Sequence, residues 1–188
     1  MALWGISDAD ESTPKWLNDA EKKKVYADAS GWRFENPKSG ATDEVLCAVS
    51  GLAVSIGSAD ITEIEFVTTS FDKSAGGNID VLVRFNEAVD VTGTPRLSIT
   101  NGNQGSGTGR GPHLANYLSG TGSNELTFRC TIAAANAATN ADDVLVIGSN
   151  ALAQNGGSTI KDKGTNTAST ITNSGAIGTA AGSITVVA

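Results

Sequence analysis

Asn78-Ile-Asp-Val-Leu-Val-Arg-Phe-Asn-Glu-Ala-Val-Asp-Val-Thr-Gly-Thr-Pro-Arg-Leu-Ser-Ile99 reads as a strand, a corner and a second strand. Ile79, Val81, Val83 and Phe85 recur at period two, which puts them on one face of an extended chain. Gly93-Thr-Pro95 marks the corner, because proline has no amide hydrogen to give to a central ladder. Downstream, Leu126, Phe128, Cys130 and Ile132 fall on one parity, and 144–147 is continuously apolar, as a central strand is. Upstream, 61–67 alternates apolar with charged residues, so Glu63 and Glu65 are expected on a wet face. Further strands are expected over 44–52, 96–100, 114–119, 159–161, 170–172 and 183–187, with Gly/Asn/Ser/Thr-rich breaks between them. About seven to nine short strands with such turn signals predict a mostly β fold, an immunoglobulin-like β-sandwich over residues 44–188.

Residues 1–43 differ from the rest. They hold all three tryptophans, Trp4, Trp16 and Trp32, and a charge-dense stretch. Asn18 with Glu21 three residues on forms a capping-box signature, and Lys22, Lys23 and Lys24 suit the negative end of a helix dipole. A short helix over 19–28 is therefore expected in an extended N-terminal arm. Trp16, Leu17, Val25 and Tyr26 are the only large apolar groups of that helix, which gives it no wide apolar face, and the arm is not expected to make a core of its own. Two destinations stay open for the indole rings: they fold back on the sandwich, or they anchor the arm to another protein.

The formal net charge of −7 disfavours nonspecific attraction to nucleic acid or to an anionic membrane. No apolar run approaches the roughly 20 residues that a spanning helix needs. The opening residues lack the basic start and apolar stretch of a signal peptide, so a cytoplasmic site of synthesis is expected. Cys47 and Cys130 sit in apolar, strand-like surroundings; they read as buried free thiols, with a disulfide between them left open.

Candidate chemistry is sparse. The glycine-rich 101–112 has no lysine–serine or lysine–threonine end and is followed by Pro112 and a strand, so it reads as a hairpin loop with Arg110 and His113 at its end. Asp8-Ala-Asp-Glu11 and Asp142-Asp143 lack the length and glycine of a calcium loop and read as solvated or capping carboxylates. His113, the only histidine, has no serine elbow to serve and reads as a surface or strand-start residue. Glu63, Glu65, Glu87 and Glu125 are spread over several strand candidates, which leaves a hydrolytic carboxylate pair without a defined place. The expectation is a protein that is not an enzyme, with no catalytic residue, metal or cofactor.

Three segments carry a resemblance. Val81-Leu-Val-Arg-Phe-Asn-Glu-Ala-Val-Asp-Val-Thr-Gly-Thr-Pro-Arg-Leu, Asn116-Tyr-Leu-Ser-Gly-Thr-Gly-Ser-Asn-Glu-Leu-Thr-Phe and Asn150-Ala-Leu-Ala-Gln-Asn-Gly-Gly-Ser-Thr-Ile-Lys-Asp resemble the bacterial immunoglobulin-like repeats of large surface and motility proteins. Ala2-Leu-Trp-Gly-Ile-Ser-Asp-Ala-Asp-Glu-Ser-Thr-Pro-Lys-Trp-Leu17, Lys24-Val-Tyr-Ala-Asp-Ala-Ser-Gly-Trp32 and Glu44-Val-Leu-Cys-Ala-Val-Ser-Gly-Leu52 are similar to the opening of virion structural proteins from T-even-like marine and cyanobacterial phages. The two resemblances together imply a capsid decoration or auxiliary protein, assembled in the bacterial cytoplasm and resident on the virion. The arm would grip the major capsid protein or another virion protein through Leu3, Trp4, Trp16, Leu17, Tyr26 and Trp32. The resemblance leaves room for a homo-oligomer on the particle. An alternative is a host-surface or glycan-binding module of a tail or fibre.

Overall fold

The computed structural model describes residues 17–38, 40–102, 111–136 and 138–187. Its spine is β6 (Gly77–Thr92), 16 residues of uninterrupted extended chain. Successive lengths of this strand serve different partners. β4 (Ile61–Phe66) and β9 (Ser123–Ile132) run antiparallel to its first half, and β11 (Thr159–Asp162) antiparallel to its second. From β9 the ladder continues through β8 (His113–Ser119), β7 (Arg96–Gly102), β10 (Val144–Ala153) and β12 (Ser183–Val187) to the two-residue β5 (Phe71–Asp72). The fold is thus mostly β.

The alternation seen in the sequence is what buries the core. Ile79, Val81, Val83 and Phe85 of β6 meet Leu126, Phe128 and Ile132 of β9 in one cluster, which also takes in Leu97, Ile99, Leu145, Ile160, Ile184 and Val186. Side chains from nine strands share this cluster, so the sheet curls around it rather than lying flat. Tyr117 packs edge-on against Phe128, and its hydroxyl accepts from the Thr121 amide at 2.8 Å, which fixes the β8–β9 turn. Gly120 in that turn has φ +115, and a Cβ there would lie 2.0 Å from the Glu125 carbonyl oxygen.

A second, smaller cluster stands beside the first. β1 (Val25–Asp28), β2 (Gly31–Phe34) and β3 (Glu44–Ala48) form an antiparallel sheet, with α2 (Leu52–Ser55) against it. Val25, Ala27, Trp32 and Leu52 are its buried centre, and Leu17, Phe34, Leu46 and Ile56 pack around them. This lobe joins the spine where Ala27 pairs in parallel with Glu87.

Several expectations change here. The capping box is present, with Asn18 Oδ1 accepting from the Ala20 and Glu21 amides and Glu21 accepting from the Asn18 amide. The helix it starts, α1 (Asp19–Lys22), ends after one turn instead of reaching residue 28. Val25 and Ala27 alternate inward on β1, and the strand ladder to β2 buries both, which a narrow apolar stripe on a short helix would not. The boundary at residues 43 and 44 falls within the lobe, because β3 pairs with β2. In β4 the alternation is broken by a register shift between Ile61 and Glu63, so Ile61 and Ile64 both face inward. Thr170 makes a single parallel bridge with Asp60 rather than a strand. β10 is ten residues long, with a shift between Ile147 and Leu152 where Asn150 takes φ 51. α3 (Gly175–Ala180), capped by Ser174, is a helix that the sequence did not announce.

The core makes a direct prediction. Phe128 is fully buried, and Phe128→Ala removes its ring from the centre of the sheet. Urea unfolding should show a loss of about 3–5 kcal/mol. Val67→Ala, at a side chain 54% exposed, should stay within about 0.5 kcal/mol of wild type.

Candidate functional site

Chemically active side chains gather where the lobe meets the body. The even positions of β6 point away from the main core, and Arg84 lies on that face with its side chain only 8% exposed. Its Nη1 donates to Glu63 at 2.7 Å and to Glu65 at 2.9 Å, and its Nε donates to Glu125 at 2.5 Å. Glu35, following β2, lies 3.5 Å from the same guanidinium, and Lys23 reaches Glu63 at 3.1 Å. Burial alone would push the guanidinium pKa down; the carboxylates, Glu125 foremost, more than reverse it and hold the charge. Burial raises the Glu35 carboxyl pKa, and repulsion from Glu125 adds to it, while Arg84 opposes both. Glu63 and Glu65 therefore do not simply face water. They and Glu125 are bound to one cation under the lobe.

Beside this network a cleft of about 500 Å³ opens between the lobe and the body. Ala27, Ala29 and Ala53 form the lobe wall, and Ala88, Gly122 and Gly164 the opposite one. Tyr26, Asp43, Ser123, Asn124 and Lys163 supply polar groups at its surface. The Tyr26 hydroxyl donates to Asp43, and burial together with that bond raises the phenol pKa. Asp43 also accepts from the Asn36 amide at 3.1 Å. Lys163 Nζ donates to the Gly122 carbonyl at 3.2 Å. Small wall residues with hydroxyl, carboxylate and ammonium groups at the surface can hold a polar molecule.

The residues expected to dock a partner divide into three groups. Leu3, Trp4 and Trp16 lie outside the described residues. Leu17 is half-buried against the lobe cluster, and Tyr26 lines the cleft. Trp32, expected as a docking group, is instead a core residue of the lobe, 2% exposed among Val25, Ala27 and Leu52. Its ring fills the chain's own interior because β2 carries it onto the inner face of the three-stranded sheet.

His113 begins β8 but is buried rather than superficial; its Nε2 lies 3.0 Å from the hydroxyl of Thr139, itself fully buried. Burial lowers the imidazole pKa, partly offset by Asp143. Asp143 caps its own turn, accepting from the Asn140 amide, and also accepts from Asn101 Nδ2 at 3.0 Å. Cys47 and Cys130 are both free thiols, Cys47 only half-buried, and burial raises the Cys130 pKa. Asp8, Asp10 and Glu11 lie outside the described residues, as do 103–110 of the glycine-rich loop. Among the described residues no group of three or more His, Cys, Asp or Glu side chains is placed to hold a metal.

Arg84 was the missed residue. A signal for it was in the sequence, since an arginine between Val83 and Phe85 in a strand must face away from the core. Its glutamates come from positions 35, 63, 65 and 125, and only pairing register reveals that convergence.

Arg84→Ala should lower stability at neutral pH by about 3–5 kcal/mol, because it leaves several carboxylates crowded without their cation. Glu35, whose carboxyl pKa is already raised, loses the guanidinium that opposed the rise and binds its proton more readily folded than unfolded, so the deficit should shrink as pH falls toward about 4. Denaturant melts across that range check both the size and the sign.

No family model, no curated protein and no solved structure matches this chain.

Proposed function

We propose that this protein is a non-enzymatic structural component of a phage particle, an auxiliary or decoration protein of the capsid built on an immunoglobulin-like β-sandwich. The observation that carries the reading is the resemblance of its opening segments, Ala2 to Leu17, Lys24 to Trp32 and Glu44 to Leu52, to virion structural proteins. Three features agree with it. The fold is mostly β, with strands that serve display well. The titratable groups between lobe and body are engaged with one another, as in Arg84 with its glutamates, rather than arranged around a reactive centre. The acidic chain resists adhesion to packaged nucleic acid.

Docking is assigned to the first residues of the chain, with Leu3, Trp4 and Trp16 as apolar anchors and Leu17 as the link to the lobe. Trp32 is withdrawn from that role by its burial. The partner would be the major capsid protein or another virion protein. The cleft beside Tyr26 supports a second reading, a glycan- or host-surface-binding module, because aromatic, carboxylate and amide groups line it together.

Purified virions analysed by mass spectrometry should contain this chain, and its absence from intact particles ends the proposal. Removing residues 1–16, or changing Trp4 and Trp16 together to alanine, should abolish binding to particles while the β-sheet circular dichroism stays unchanged. Retained binding would place the contact elsewhere. Copy number separates the two readings, since a decoration protein is abundant and a fibre tip scarce.

A further inference from the structure

We propose that Glu87 and Asp162 form an acid pair sharing one proton, and that this pair latches β11 and the lobe onto the spine strand and loosens when both groups ionise.

β11 runs antiparallel to β6 with Asp162 opposite Val89. Alternation puts Glu87 and Val89 on the same inward side of β6, so Glu87 and Asp162 are diagonal neighbours on one face. Both are inside the protein, Glu87 1% and Asp162 0% exposed. Asp162 Oδ1 accepts from the Thr165 amide at 2.8 Å. Asp162 Oδ2 and both carboxyl oxygens of Glu87 have no donor among the described residues. Three buried acceptor oxygens facing one another are costly if both groups carry charge. One proton turns one carboxyl into a donor and satisfies the pair.

Among the described residues no cation does this instead. Asp60, before β4, adds a third negative group. Lys163 follows Asp162 in the chain but gives its ammonium to the Gly122 carbonyl. Arg84 occupies the other face of β6 with its glutamates, Glu125 of β9 among them. From β1, Tyr26 engages Asp43 and Asp28 engages Arg33. α2 has no titratable side chain. Burial, then Asp162 and Asp60, push the Glu87 carboxyl from its ordinary 4.5 up to about 8. A divalent cation could neutralise two carboxylates as well, but the described residues set no third carboxylate, imidazole or thiol around one point with them.

The position explains why ionisation would act on the joint. Glu87 is the residue at which β1 pairs with β6. The Lys163 amide donates to the Ala88 carbonyl at 3.0 Å, and the Asp162 amide to Thr167 at 2.9 Å. Gly164 lies so close to α2 that a Cβ on it would stand 2.9 Å from the Ala53 carbonyl oxygen. Lobe, β11 turn and spine therefore meet within a few residues of the pair, and the same residues wall the cleft.

Because the folded chain keeps this proton where the unfolded chain has lost it, stability from the pair is complete below about pH 4.5 and disappears as pH rises through about 8. The test compares wild type with Glu87→Gln, whose amide donates to Asp162 without titrating. From about pH 5 to about pH 8 the unfolding constant of wild type should rise relative to that of the variant, by at most about tenfold per pH unit. At the upper end the Asp162 and Lys163 amides should exchange hydrogen faster in wild type than in the variant, and at the lower end equally. Parallel profiles for the two chains would overturn the proposal. If Glu87→Gln fails to fold, Asp162→Asn serves, since its amide nitrogen donates to an ionised Glu87 while its oxygen still accepts from Thr165. A pH profile that this variant leaves as steep as wild type would also overturn the proposal. So would stabilisation of wild type, but not of Glu87→Gln, by calcium or magnesium chloride at the alkaline end, because a cation and not a proton would then occupy the pair.

Discussion

One uninterrupted run of extended backbone, Gly77–Thr92, sets the terms for everything around it. A strand has two faces and two edges, and β6 uses all four. Its odd residues from 79 to 85 enter the main core, and Arg84 heads a charge network on the reverse side. Along its length it carries β4, β9, β11 and the single parallel contact to β1. A break anywhere in this strand would separate core, network and lobe at once. The absence of proline and of interior glycine between Asn78 and Thr92 fits that demand.

The two faces are stabilised by different physics. On the core side, burial of Phe85, Phe128 and their aliphatic neighbours supplies a non-directional hydrophobic gain. On the reverse side, a buried guanidinium carries more carboxylates than its charge balances. Such a hub is a poor source of net stability but a strict one of geometry, since each partner must stand where the planar fork can reach it. It ties Glu35 of the N-terminal segment to β4 and β9 and so fixes how the lobe sits on the spine. The acid pair of Glu87 and Asp162 lies a short way along the same strand, which places two ionic devices of opposite character at one joint.

Much of this was readable in the sequence where a local rule governed the outcome. Period-two burial in β6 and β9 matched the odd and even apolar positions, and the Asn18–Glu21 capping box formed as its spacing required. The reading fell short where a distant partner decided. Val25 and Tyr26 sit inside a helical signal, yet pairing with Phe34 and Arg33 takes them into a strand. Trp32 looked like a free anchor until β3 and Leu52 enclosed it. The bulge in β4 is invisible in Ile61-Thr-Glu-Ile64, because nothing local shows that both isoleucines must reach one core. The cleft is formed by residues from 26 to 164, and no window of sequence contains it.

The wide spread of partners along the chain also bears on how the molecule is made. β6 is contacted by Ala27 before it and by Asp162 well after it. While the polypeptide is still emerging from a ribosome, the central strand exists for many residues with an edge that has no mate. Pairings of such long sequence separation close slowly, and an unsatisfied strand in that interval is open to wrong neighbours. Completion of this strand thus waits for the last third of the chain, and a nascent chain stalled before residue 159 would leave the Val89–Thr92 stretch of β6 without its β11 mate.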